Sequence, residues 1–526
     1  MGNRDVAAAQ AYHDATKHSL ASVQHSRHFL DFENMPLPFK VYPHLPAIPL
    51  PRDFTLSRRP ALAAIAADPG AVDDGRVLDL ATLAHLLYFT AGVLRRRSYP
   101  GRDAFFRAQA CTGNLHHIEL YLACGDLPDL AAGVYHFGAH DFALRRLRDG
   151  DHRGTIVAAT AGEPAIARAP IVVACTSTFW RNAWKYQART YRHSFWDDGT
   201  LLANFLAVAA ALDVRARLVL GFVDDALNRL LDVDGEREVT VSLVALGAAA
   251  SPPPPAPPPP PLGFETLPLS AHELAYPEVV AAHRASSLPS PDEVRAWRAA
   301  AALRDESGTA KLGGEQSGRG EPGGRPSATG IVPLASSVAP AREEPIERVI
   351  QRRGSTREFA RESIGLDVLS TIVRGVSGDI PSDIAADAAR GDLYLIVNAV
   401  DRLAPGAYVV DRARDALVVL RAGELRREAG HLALGQPLAA DAAVNLYWLV
   451  DLPRVLARLG NRGYRAAQLD AAIRGGKTYL AAFALGIGAT GLTFFDDDVT
   501  GFFSPHAAGK SVMFLMAIGR PAPRPR

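Results

Sequence analysis

A chain of 526 residues is too long for one hydrophobic core, so two domains and a connection between them are the starting expectation. Charged residues make up 21% and hydrophobic ones 48%, and a formal net charge of +1 gives no global field to attract nucleic acid or an anionic membrane. Three scattered cysteines, Cys111, Cys124 and Cys175, exclude a disulfide framework and a zinc site, and fit a reducing cytosol.

In chain order, residues 1–55 read as an N-terminal arm rich in His, Pro and aromatics. Its start, MGNRDVAAAQAYHDATKHS, lacks the apolar core of a secretory signal, which predicts a cytoplasmic protein. Its end, YPHLPAIPLP, favours extended chain wrapped on a body over helix. A first domain over 56–247 carries predicted helices at 79–91, 179–191 and 199–212, and strands at 119–123, 171–175, 218–222 and 238–246. That mixture predicts an α+β fold. The most apolar stretch, 201–214, falls short of the roughly 20 residues of a membrane-spanning helix and reads as buried. Residues 248–342 read as a linker: a stiff polyproline spacer at 251–261, a short helix at 291–303, and a stretch of disordered composition at 305–329. A second domain occupies 343–526.

The second domain repeats the first. LAAGVYHFGAHDFALRRLRDGDHR at 130–153 aligns without a gap with LAPGAYVVDRARDALVVLRAGELR at 403–426, an offset of 273 (403 − 130). The same offset pairs Tyr121 with Tyr394, the Arg-Thr-Tyr-Arg of 189–192 with the Arg-Gly-Tyr-Arg of 462–465, and Phe222 and its aspartates with Phe495, Asp497 and Asp498. One long period means two copies of one domain, which predicts an internal pseudo-dimer.

Differences between the copies then point to chemistry. In IERVIQRRGSTREF (346–359) Arg352, Arg353, Ser355 and Arg357 form an anion grip, guanidinium forks beside short hydroxyl donors, suited to a phosphate and a polyol. The following helices align Leu80 with Leu366, an offset of 286, and carry the grip back onto AADPGAVD at 66–73, where it is lost. The reverse loss affects RAQACTGNLHHIE (107–119). Small residues at 111–114 would let backbone N–H groups approach a planar ring, and Asn114 offers an amide to its edge. The second copy reads AADAARGD at 385–392, without glycine or asparagine at the matching positions. In isolation a basic helix end and a plain turn explain the two segments equally well; the complementary losses favour one site shared between the copies.

These segments resemble the nitroreductase superfamily. RRGSTREF is similar to the flavin-phosphate motif that opens its domains, and CTGNLHHIELY to the P-S-x-G-x-L-x-P-x-E-x-Y segment of SagB/ThcOx-type dehydrogenases, with Cys111 in place of serine, Ala110 in place of proline, and Gly354 inserted in the grip. The resemblance implies an α+β sandwich with FMN at a dimer interface, phosphate arm from one half and small-residue loop from the other. That places Arg352, Arg353, Ser355, Arg357, Cys111, Thr112, Gly113 and Asn114 around the cofactor. It also makes LGIGATGLTFF (485–495) the turn whose amide faces flavin N5, with Thr493 and Phe494 as candidates. RNAWKYQARTYR (181–192) resembles the azoline-oxidase motif in which Lys and Tyr act as base, here Lys185 and Tyr186; the second copy has Arg458 and Leu459 instead. The implied activity is oxidation of a modified peptide, azoline to azole, with a cyclodehydratase-type partner and no metal. A reductase of nitro or quinone compounds using NAD(P)H and a flavin-free scaffold subunit are the alternative readings.

Overall fold

The computed structural model describes residues 2–72, 78–99, 102–248, 251, 253–255, 259–303, 330–338 and 343–523. The first copy contributes strands β1 (Ala47–Pro49), β2 (Val93–Tyr99), β3 (Arg102–Arg107), β4 (Ile118–Cys124), β5 (Gly133–Gly138), β6 (Ala143–Asp149), β7 (Ile171–Thr178), β8 (Ala216–Val219) and β9 (Glu238–Leu246). The second contributes β10 (Ile331–Pro333), β11 (Asp392–Val397), β12 (Gly406–Asp411), β13 (Ala416–Ala422), β14 (Val444–Val450), β15 (Gly488–Leu492) and β16 (Ser511–Gly519). Two seven-stranded sheets result, ordered β1-β6-β5-β4-β7-β9-β8 and β10-β13-β12-β11-β14-β16-β15. Exchanging each strand for its counterpart turns one order into the other, so the fold is the expected tandem pseudo-dimer. Hairpin β2–β3 belongs to the first copy alone among the described residues.

Each sheet packs on a long helix, Thr190–Ala211 in the first copy and Arg462–Ala484 in the second. Nearly every residue of both helices is buried, because each is covered by its own sheet and by the other helix. Glycine permits that crossing: a Cβ on Gly199 would lie 2.5 Å from Ala472 Cβ, and one on Gly476 2.5 Å from Ala203 Cβ. The apolar 201–214 stretch is thus core, and no described helix is long and apolar enough to cross a membrane.

The structure corrects several local expectations. The arm is not extended throughout, since Ala7–Ala15 and Leu20–Gln24 are helical; its alanines and the Ser19 cap favour helix before the prolines begin. The predicted helix at 179–191 is broken: Phe179–Tyr186 ends at Gln187, whose φ of 50° is left-handed, and the chain restarts through a short 3-10 turn into the long helix. The strand expected at 218–222 stops at Val219. The linker holds a second helix, Pro277–Ala285, beside the expected one at Pro291–Ala302. It also carries β10, which pairs with β13 as β1 of the arm pairs with β6. The segment 305–329 lies outside the described residues.

Candidate functional site

The small-residue loop of the first copy is built around one carboxylate. Asp197, on the long helix, accepts from the Thr112 N–H (2.8 Å), the Thr112 hydroxyl (2.7 Å) and the Cys111 thiol (3.0 Å), and pairs with His117 Nε2 (2.9 Å). One turn on, the Thr200 hydroxyl donates to Ala110 O, and the Asn204 amide to Ala108 O. The helix therefore grips the loop along one face. Burial, then the Asp197 charge, pushes the Cys111 thiol well above its usual range, so it serves as a donor and not as a thiolate. Gly113 has a φ of 63°, and a Cβ there would lie 2.8 Å from Tyr186 Oη. Glycine is required twice over, for the backbone and for the tyrosine's approach. Asn114 departs from expectation: its amide donates to Phe105 O and its Oδ1 meets His116, tying the loop to hairpin β2–β3. These local partners were invisible in the spacing.

The grip of the second copy reaches the same place through one arginine. Arg353 is buried and donates to Ala108 O at 3.0 Å, stacks over Tyr479, and leaves Nε without a partner. Ser355 meets the Tyr479 hydroxyl at 3.2 Å. Arg352 instead points outward, ion-paired to Glu344 and bonded to Phe483 O, while Arg357 is exposed. A helix ending at Arg352 sends consecutive side chains to opposite sides, so the expected cluster divides. Arg95 of the hairpin, unnoticed in the sequence, reaches Arg353 O at 3.4 Å. Thr493 Oγ1 is buried without a partner, whereas the Phe494 ring sits in the core against Trp196 and Arg189. At the C-terminus, Arg520 turns to Ser363 O and residues 520–522 pair with 358–360, the residues that follow the grip.

Tyr186 closes the loop from above. Burial, then Asp197 and Cys111, holds its phenol above the ordinary value, so the group stays protonated rather than poised near neutrality. Lys185 Nζ lies 5.3 Å from the centre of the Tyr186 ring. The remaining arginines of this motif are structural. Arg181 donates to His116 O and Glu119, fixing the end of the loop. Arg192 and Arg189 cross to Asp496 of the second copy at 2.6 and 3.4 Å, and Arg462 and Arg465 cross back to Asp224 at 2.7 and 2.6 Å. The second clamp uses Asp496 and not Asp497 or Asp498, because each acid is the first residue of its helix and the second helix begins one position earlier in the repeat.

The pseudo-symmetric location is lined mostly by apolar side chains. A cavity of ≈ 20 Å³ remains there, lined among others by Ile384, Ala385, Ala386, Ala466, Asp470 and Leu220. That is room for about one water. At the 273 offset these positions are Cys111, Thr112, Gly113, His193, Asp197 and Thr493. Residues 381–383 pair with β8, and the Asp383 carboxylate accepts from the Leu220 and Gly221 N–H groups, counterparts of Thr493 and Phe494. Trp297 of the linker helix packs onto Gly221 and donates to Leu459 O. No bridge between 108–110 and β15 occurs among the described residues of the other location.

Family comparison agrees with this two-copy geometry, since the nitroreductase family model matches residues 107–248 and 350–520. The chain belongs to the nitroreductase family. Among solved structures, a protein from Anabaena variabilis described as a nitroreductase is 25% identical, with 98% of this chain and 99% of that one covered and a TM-score of 0.71. The E. coli microcin synthetase McbBCD complex with truncated pro-MccB17 bound is 16% identical over 47% of this chain and 93% of that one, with a TM-score of 0.30. A nitroreductase from Desulfovibrio desulfuricans in complex with FMN is 17% identical over 35% and 94%, with a TM-score of 0.24. No curated protein matches the chain. The two inter-copy locations of this nitroreductase-family pair thus differ in their lining, polar side chains around Cys111–Asn114 and Arg353 and mostly apolar ones around Ile384–Ala386.

Proposed function

We propose that the location between Cys111–Asn114 and Arg353 binds one FMN and that the protein dehydrogenates a modified peptide of the azoline type, as SagB-type members do. The observation that carries the cofactor assignment is a group of buried polar atoms without partners among the described residues: Arg353 Nε, Gln109 Oε1, His116 Nδ1 and Thr493 Oγ1. Buried donors and acceptors are rarely left unpaired, so these four atoms favour a polar ligand between the copies. A guanidinium and a hydroxyl (Arg353, Ser355) suit its phosphate end, and the Cys111–Gly113 loop and Thr493 suit a flat ring with polar edges.

FMN would supply the two-electron acceptance that no side chain here provides. The chain's own residues would hold and orient. Asp197 fixes the loop, Gly113 lets Tyr186 reach it, and the protonated Tyr186 phenol donates a hydrogen bond to the substrate heterocycle. Lys185, at the half-buried edge, exchanges protons with solvent. A carbon–hydrogen bond must lose its proton during azoline oxidation, and the Lys185–Tyr186 edge is present only in the copy that keeps the loop. This favours dehydrogenation over reduction of a nitro or quinone compound, which needs no such proton removed.

The test is anaerobic mixing of FMN-loaded protein with an azoline-containing peptide. Loss of the flavin's visible absorbance with formation of the azole is expected. Bleaching by NADPH with a nitroaromatic acceptor, and none by the peptide, would replace this reading with the reductase.

A further inference from the structure

We infer that His193 Nε2 accepts the carbon-bound proton in the dehydrogenation proposed above, an inference that rests on that reading. His193 lies on the helix face that holds the loop, one turn before Asp197. Its counterpart Ala466 lines the ≈ 20 Å³ cavity of the other location, so position 193 lies on the equivalent helix face and carries an imidazole where the other copy has a methyl group.

The ring is held on three sides. Its Nδ1 meets Asn182 Oδ1 at 2.9 Å, Tyr186 stands edge-on with ring centres 4.6 Å apart, and Trp196 lies 4.9 Å away. An amide oxygen accepts but cannot donate, so the Asn182 contact places the proton on Nδ1 and the lone pair on Nε2. Nε2 takes no hydrogen bond from the described residues. Burial, then Arg189, His117, His18 and Arg192 around it, disfavours the imidazolium and keeps the ring a neutral base. The second copy has lost the arrangement as a set: Val455, Leu459 and Ala466 stand for Asn182, Tyr186 and His193.

The step balances. The proton of one ring carbon passes to Nε2, the electron pair it leaves behind forms the new carbon–carbon double bond, and the hydrogen on the adjacent ring carbon leaves with its bonding pair as hydride to the two-electron acceptor. The proton then leaves through the half-buried Lys185–Tyr186 edge.

The experiment combines ¹⁵N-histidine NMR with single-turnover kinetics on FMN-loaded protein, using His193→Gln to assign the resonance and His193→Ala for rescue. A neutral ring with unprotonated Nε2 is expected at pH 7. Reduction by an azoline peptide is expected to fall about 10²–10⁴-fold in either variant with flavin retained, and to recover in His193→Ala on adding imidazole. A protonated Nε2, or full activity of His193→Gln beside an active wild type, would overturn the assignment to His193 alone. A wild type inert toward azoline peptides overturns the dehydrogenase reading itself, so the two failures are distinct.

Discussion

The two inter-copy locations are built from equivalent strands and helices, yet one is lined by polar side chains and the other mostly by apolar ones. Near the loop and the grip, Gln109, His116, Arg353 and Thr493 each have a buried atom without a partner among the described residues. At the other location the same backbone positions carry Ser382, Ala389 and Leu220, while Asp383 caps the amides and Trp297 fills the space above them. Duplication within one chain frees each half-site from serving both locations. One site can then collect the loop, the proton-handling residues and the phosphate arginine, while its twin collapses onto apolar side chains. The interface clamps follow the opposite rule: Arg189 and Arg192 on Asp496 mirror Arg462 and Arg465 on Asp224, because holding the halves together needs both.

The largest contrast between the locations is expected in chemistry. Lys185→Ala and Tyr186→Phe should keep bound flavin and lower azoline-driven reduction by about 10²–10⁴-fold, the usual worth of acid–base groups. Arg458→Ala should leave that rate unchanged. Equal losses in all three, measured by stopped-flow absorbance, would erase the distinction between the copies.

The clamps should show the reverse, equal effects. Asp224→Asn and Asp496→Asn each leave two buried guanidiniums uncompensated, a cost of about 3–5 kcal/mol, read by denaturant unfolding. Burial opposes ionisation of Asp224, but Arg462 and Arg465 outweigh it and draw its pKa down to about 2; Asp496 is held low in the same way by Arg192 and Arg189. A depressed folded pKa gives stability that is complete above the unfolded value near 4 and is lost as pH falls toward 2. Both substitutions should therefore flatten the acid limb of the stability curve. A strong effect from only one would show that the clamps are not equivalent.

A smaller contrast concerns binding. Arg353→Ala should weaken FMN about ten- to a hundredfold, the 1.5–3 kcal/mol of a charge-assisted contact, by fluorescence titration. Arg352→Ala and Arg357→Ala should do less, since both side chains point away, and Arg58→Ala and Arg59→Ala in the first copy should do nothing. Equal losses across the five would remove the special place of Arg353.

The duplication and the loss of the loop were legible as matches and mismatches along the 273-residue period, and the loss of the grip along the 286-residue offset of the helices that follow it; β4, β7, β8 and β9 were expected, while β1, β2, β3, β5 and β6 were not. Asp197 was not, since the second copy keeps Asp470 and offers no contrast. His193 was within reach: extending the comparison two residues beyond Tyr191 exposes Ala466. The outward turn of Arg352 and the capture of Asn114 by Phe105 depend on where a helix ends and where a hairpin folds back, which spacing does not encode. Likewise the helix at 291–302 was expected, but that Trp297 would plug the second location follows only from packing.

One flavin site per chain, at the polar location alone, is checked by the FMN-to-protein ratio of the chain saturated with FMN and freed of excess. The account predicts a ratio of about one, unchanged by Asp383→Ala because Ile384, Ala385 and Ala466 still lack the polar groups a flavin needs. A ratio near two would contradict it, as would a protein that takes up no FMN at all.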